Sequence, residues 1–175
     1  MSTILSALKK VLLAIELLVV ILMYNWDKLL FIGIVAADQF VKAIITASMV
    51  PGESIPILKH VFHLTYVLNP GAAFGILPNQ RVFFIIAGVL VLMLAMVIYS
   101  KIKRTDTMMR FGMISMISGA AANLIDRFQN GLVVDFLDFR IWPVFNIADM
   151  AIVIGTCFMF YALVFKLGET KSAQE

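Results

Sequence analysis

Apolar residues fall in long blocks along this chain, and short polar stretches between them hold most of the charge. A helix crossing a bilayer needs about 20 consecutive apolar residues. Four blocks meet that length, at about 29–47, 82–100, 108–126 and 146–165. Ahead of them, Val11–Tyr24 is shorter, is broken by Glu16 and follows Lys9 and Lys10. No small-residue cleavage site follows it. This pattern predicts an interfacial helix over 1–28, with a leader or an extra span as the alternative. Residues 48–81 contain Pro51, Gly52, Pro56, Pro70, Gly71, Gly75 and Pro78, which excludes a spanning helix there. Ile55–Leu68 alternates in part and is rich in β-branched and aromatic residues, so it reads as a short strand pair outside the membrane. Asn69-Pro70-Gly71 is a turn signal. Residues 127–145 read as an outer loop.

Composition turns this pattern into a class. Of 175 residues, 62% are hydrophobic and 14% charged, and the mean hydropathy is +0.98. Soluble domains are about 45–50% apolar and about 25% charged. The chain is an integral membrane protein, with one domain over 29–166 and a short tail over 167–175. The net charge of +3 is small, and no basic face suits a nucleic-acid partner. Placement says more. Lys101, Lys103 and Arg104 follow the second span at once, and Arg110 lies just beyond. The positive-inside rule makes this loop cytoplasmic, and four spans then put both termini in the cytoplasm. Lys166 and Lys171 agree. Cys157 and the eleven Met residues read as packing side chains. His60 and His63 have no Cys, Asp or Glu beside them to complete a metal site.

The same topology predicts where the acids meet. Asp38, Asp126, Asp135 and Asp149 should lie at one depth, near the outer surface. Local pairing sorts them. Asp38 and Lys42 stand at i, i+4, which favours an ion pair. Gly119, Asn123 and Asp126 share one face of the third span, where the glycine permits close helix approach. Arg127 adjoins Asp126 but does not face it. Asp138 has Arg140 two residues on, on the same side of an extended segment. Asp135 and Asp149 have no cation nearby in sequence. Two partly desolvated carboxylates without a cation would share a proton, which is what an aspartic peptidase requires. The bland alternative is that both cap helices, since Asp149 lies in the first turn of its span.

Five motifs in order carry a family resemblance: Asp38-Gln39-x-x-Lys42, Asn69-x-Gly71-Ala72-Ala73-Phe74, Gly119-x-x-x-Asn123-Leu124-x-Asp126-Arg127, Val133-Val134-Asp135-Phe136 and Phe145-Asn146-x-Ala148-Asp149. The chain resembles the bacterial lipoprotein signal peptidases (signal peptidase II). That resemblance implies an all-α membrane protein of four transmembrane helices, with a small extracytoplasmic β-cradle from about 50–75 and an outer loop segment. It implies that Asp135 and Asp149 are catalytic. It places Asn69, Gly71, Asn123, Arg127 and Asn146 around the substrate, with Asp38, Lys42, Gly119 and Asp126 in support. The implied substrate is a prolipoprotein whose cysteine already carries diacylglycerol, cut just before that cysteine at the extracytoplasmic surface of the bacterial plasma membrane. Membrane lipid is a partner, globomycin-like cyclic peptides are implied inhibitors, and no metal or organic cofactor is implied. The sequence departs from the family in placing Leu68, not Tyr, before Asn69, with Tyr66 two residues earlier.

Two rival classes make different demands. A small transporter subunit would set its polar groups near the midplane, at broken helices. In this chain Val82–Ser100 holds no Asp, Glu, Lys, Arg or His, and the acids gather at span ends. A rhomboid-like serine peptidase would need Ser and His within spans, and His60 and His63 lie outside them.

Overall fold

The computed structural model describes residue 15 and residues 24–71 and 80–172, with side chains up to 165. Most of the 1–28 segment, the Ala72–Phe74 part of the second motif, and the Lys166 and Lys171 side chains lie outside the described residues. The elements in order are α1 (Trp26–Ser48), β1 (Ser54–Leu58), β2 (Phe62–Asn69), α2 (Arg81–Lys101), α3 (Thr107–Gln129), β3 (Val133–Asp138) and α4 (Ile147–Ser172). Four helices are long and apolar enough to cross a membrane, and they overlie the four apolar blocks.

The helices differ in what they bury. α3 is central: it packs on α1, α2 and α4, and it buries twelve residues from Arg110 to Asp126. α2 is apolar from Val82 to Ile98 and buries none of its residues, so its faces away from α3 are left to lipid. Small residues set the close contact of α3 with α4. A Cβ on Gly112 would fall 2.7 Å from the Gly155 carbonyl, and one on Gly155 2.5 Å from the Gly112 carbonyl. α3 and α4 therefore touch backbone to backbone, where a bilayer offers no hydrophobic drive beyond packing. Cys157 departs from its expected packing role, because it is exposed on α4.

The strand pair extends to a third strand. β1 and β2 are antiparallel across a turn in which His60 has φ 64°, and β2 pairs antiparallel with β3. The stretch expected as an outer loop thus contributes β3 to the sheet. A period-2 test is weak on VVDFLD, where both faces become buried. Tyr66, Val134 and Phe136 pack on Ile45 and Met49 at the end of α1. α1 therefore projects past the bundle to carry the sheet. This also corrects the placing of Asp38 at the end of its span. It lies near the middle of α1, yet its carboxylate meets the first turn of α4.

The opposite end of the bundle is tied by a second buried pair. Arg110 donates to the Asp27 carboxylate at 2.6 Å and to the Tyr99 hydroxyl at 2.5 Å, joining α3 to α1 and α2. From Arg110 to Asp126 is sixteen residues of α3, about 24 Å at 1.5 Å per residue. The two polar layers are thus separated by most of a hydrocarbon core of about 30 Å.

Candidate active site

The start of α4 organises the site through a reciprocal cap. The Asn146 side-chain oxygen accepts from the Asp149 backbone N–H at 2.8 Å, and the Asp149 carboxylate accepts from the Asn146 N–H at 3.2 Å. This is a capping box, which satisfies two helix-end donors at once. The bland reading of Asp149 as a cap is therefore true, but it uses only one carboxylate oxygen. The other accepts from the Asn123 amide at 2.7 Å.

Beneath it lies a buried ion cluster. The Lys42 ammonium meets Asp38 at 2.7 Å, Asp126 at 2.7 Å and the Asn123 side-chain oxygen at 3.0 Å, so its three hydrogens have three acceptors. The expected Asp38–Lys42 pair forms and gains a second carboxylate. Asp38 also accepts the Ala148 N–H at 2.9 Å, while Asp126 accepts from Gln39 at 2.8 Å and the Val134 N–H at 3.2 Å. Buried charge is tolerated where every lone pair and proton finds a partner, and this cluster locks α1, α3, α4 and β3 together. Gln39 was not singled out as a site residue. Its adjacency to Asp38 placed it in the motif, but only the fold puts it against Asp126.

The cluster fixes the amides above it. Asn123 takes Lys42 and Asn146 on its oxygen, so its NH₂ must point at Asp149. Asn146 donates to Asp135 at 2.7 Å as well as to Asn123. Asn69, beside Asp135 at the sheet's edge, donates to the other Asp135 oxygen at 3.0 Å, and its own oxygen accepts from Gly71. Asp135 is 2% exposed. Burial, and beyond it the charge of Asp149, pushes its carboxyl up to about 7, against the pull of the Asn69 and Asn146 hydrogen bonds and of Lys42.

Asp138 contrasts with it three residues on. The Thr65 hydroxyl, the Arg140 N–H and the Arg140 guanidinium outweigh burial and hold that carboxyl below its usual value. The Asp138–Arg140 pair read from spacing is present at 2.8 Å. Asp126 and Arg127 form no ion pair. Arg127 donates instead to the carbonyls of Asn123 at 3.3 Å and Gly71 at 3.1 Å.

These groups line one cavity of about 500 Å³. Asp135 and Asp149 both face it, and so do Asn69, Gly71, Asn123 and Arg127. Asp38, Lys42, Gly119, Asp126 and Asn146 do not line it. Gly119 acts from behind, because a Cβ there would collide with the Ala148 carbonyl and Ile152. Trp142 and Val153 form an apolar wall. Val153 is 62% exposed on the lipid-facing side of α4, so the cavity lies beside the bilayer. Trp142 carried no signal in the sequence beyond its place in the loop.

Four helices long and apolar enough to span a membrane, a three-stranded sheet, and a cavity holding two carboxylates outside any ion pair among the described residues define a polytopic membrane protein with a candidate acid–base site. The chain belongs to the signal peptidase II family, whose family model matches residues 30–165. It is similar to the lipoprotein signal peptidase of Pelotomaculum thermopropionicum, 46% identical over 131 residues, covering 75% of this chain and 86% of the relative. It is also similar to the lipoprotein signal peptidase of Desulfitobacterium hafniense, 52% identical over 128 residues, covering 71% and 83%. A solved bacterial membrane enzyme superposes with a TM-score of 0.79 at 32% identity, covering 83% of this chain and 91% of that one. A second gives 0.74 at 34% identity, covering 79% and 92%. The chain is thus a multi-pass membrane peptidase of a family that processes prolipoprotein signal peptides.

Proposed function

We propose that this chain is an aspartic endopeptidase that frees diacylglyceryl-modified prolipoproteins from their signal peptides, cutting just before the lipidated cysteine. The observation that carries the reading is the convergence of Asp135 and Asp149 on one cavity, each held by an asparagine amide and neither in an ion pair. Such a pair shares one proton. Asp135, whose carboxyl burial pushes up to about 7, is the member that holds this proton and polarises the scissile carbonyl. Asp149 sits at the N-terminus of α4 and accepts two N–H donors, which suits its ionised form.

Asp149 takes a proton from water as the water oxygen attacks the carbonyl carbon. Asp135 gives its proton to the carbonyl oxygen, forming a neutral tetrahedral diol. Asp149 then passes its proton to the departing amide nitrogen, and Asp135 recovers one from a diol hydroxyl as the C–N bond breaks. The pair carries a single negative charge at every stage, no net charge builds up on the peptide, and the pair returns to its starting state.

The remaining cavity groups position the peptide. Asn69 and Arg127, with the Gly71 carbonyl, present donors and an acceptor to an extended backbone. The diacylglyceryl chains stay in the bilayer, anchored at about 0.8 kcal/mol per buried CH₂, so the enzyme need only orient the peptide. In this reading the sheet and cavity lie at the extracytoplasmic surface of the plasma membrane, and both termini are cytoplasmic. Membrane lipid surrounds the site, and globomycin-like cyclic peptides compete for it. The test is cleavage of a prolipoprotein by purified protein, with and without the diacylglyceryl group. Cleavage only of the lipidated form is expected. Equal cleavage of both, or of neither, contradicts the reading.

A further inference from the structure

We infer that Arg81 and Phe84, in the first turn of α2, are positioning residues for Arg127 and set substrate affinity more than turnover. The inference rests on the peptidase reading and adds two residues that no motif contains.

A helix ends with carbonyls that lack partners. α3 stops with Asn130 as its cap and Gly131 beyond it at φ 79°, and the Gly131 N–H donates back to the Arg127 carbonyl at 3.1 Å. Arg81 completes this end from the neighbouring helix. Its Nε donates to the same Arg127 carbonyl at 3.1 Å, and its terminal nitrogen donates to the Phe128 carbonyl at 2.7 Å. A cation is also favoured at the negative end of a helix dipole. Gly131 is shaped to admit it: a Cβ there would stand 2.8 Å from Arg81 Cδ and 3.2 Å from its Nε. Two independent features, the hydrogen-bonded fork and the missing side chain, thus converge on Arg81.

Phe84 lies three residues on, and its ring centroid is 5.1 Å from the Arg127 guanidinium carbon, within cation–π range. Among the described residues, α2 makes no other polar contact near the cavity. Its first turn holds Arg127 twice, by the backbone through Arg81 and by the guanidinium through Phe84. The guanidinium is then left reaching Gly71 on the cavity rim. Neither residue touches Asp135 or Asp149, so the proton-sharing pair does not depend on them.

The experiment measures kcat and KM on a lipidated prolipoprotein, together with direct binding of a fluorescent diacylglyceryl peptide, for Arg81→Ala, Arg81→Lys and Phe84→Leu. Arg81→Ala is expected to raise KM and Kd about tenfold with kcat little changed, the mark of lost binding shared by ground and transition states. Arg81→Lys keeps the charge and one donor and should recover part of the loss. Phe84→Leu keeps apolar packing and should raise KM by a smaller factor. In an Arg127→Lys background, Arg81→Ala should add little, because residues acting through one group are not additive. A lower melting temperature with unchanged KM and Kd would overturn the proposal, as would a full, additive effect in that background. The unsubstituted protein separates this from the parent reading. Failure of that protein to cleave would count against the peptidase, while its peptide binding still reads Arg81.

Discussion

Among single residues, the proposed chemistry turns on which carboxylates have partners. Asp38, Asp126 and Asp138 each meet a cation at 2.7–2.8 Å, and Asp135 and Asp149 do not. Part of this sorting was legible in the sequence, because i, i+4 spacing and strand geometry pair Asp38 with Lys42 and Asp138 with Arg140. The partner of Asp126 was not, since Lys42 is 84 positions away and no local rule reaches it. Asp135 gives a pH prediction. Its folded carboxyl, at about 7, lies above the ordinary 3.8, so between those values the folded state binds more protons than the unfolded. Stability from this group is full below about 4 and falls as pH rises toward 7. Asp135→Asn should therefore raise the melting temperature more at pH 8 than at pH 5, and change it little below pH 4. An equal shift at both pH values would contradict the burial argument. Lys42 gives the converse. Lys42→Met leaves two buried carboxylates without their cation and should cost about 3–5 kcal/mol. Adding Asp126→Asn should restore part of the loss in thermal unfolding.

At the scale of elements, the four spans were plain because length and apolarity alone define them. β3 was not, because a strand buried on both faces loses its alternation. The close approach of α3 and α4 was visible only as Gly119. Gly112 and Gly155 are nearly as tightly placed, yet nothing in a single sequence tells a packing glycine from a tolerated one. Gly119→Ala should push α3 from α4 at the level of the Ala148 carbonyl and separate Asn123 from Asp149. The expected outcome is about 1–3 kcal/mol of lost stability together with a fall in kcat, since the amide that holds Asp149 moves. Loss of stability with unchanged kcat would mean that the helices relax without disturbing that contact.

At the scale of the whole molecule, the chain sets two buried polar layers near opposite ends of an apolar bundle. Arg110–Asp27 closes one end, and the Lys42 cluster supports the cavity at the other. The basic loop predicts the orientation. In a Cys157→Ser background, Lys103→Cys should resist a membrane-impermeant thiol reagent in intact cells, and Lys59→Cys on the β1–β2 turn should react. The reverse labelling would invert the topology. The central claim is the shared proton between Asp135 and Asp149. The most direct measurement is the single-turnover cleavage rate of a lipidated prolipoprotein by Asp135→Asn, Asp149→Asn and the double variant, with Asp138→Asn as control. Each single change should abolish cleavage, the double should be no worse than either, and Asp138→Asn should cleave. Near wild-type cleavage by either single variant, with Asp138→Asn inactive, would contradict that claim and move the chemistry to Asp138.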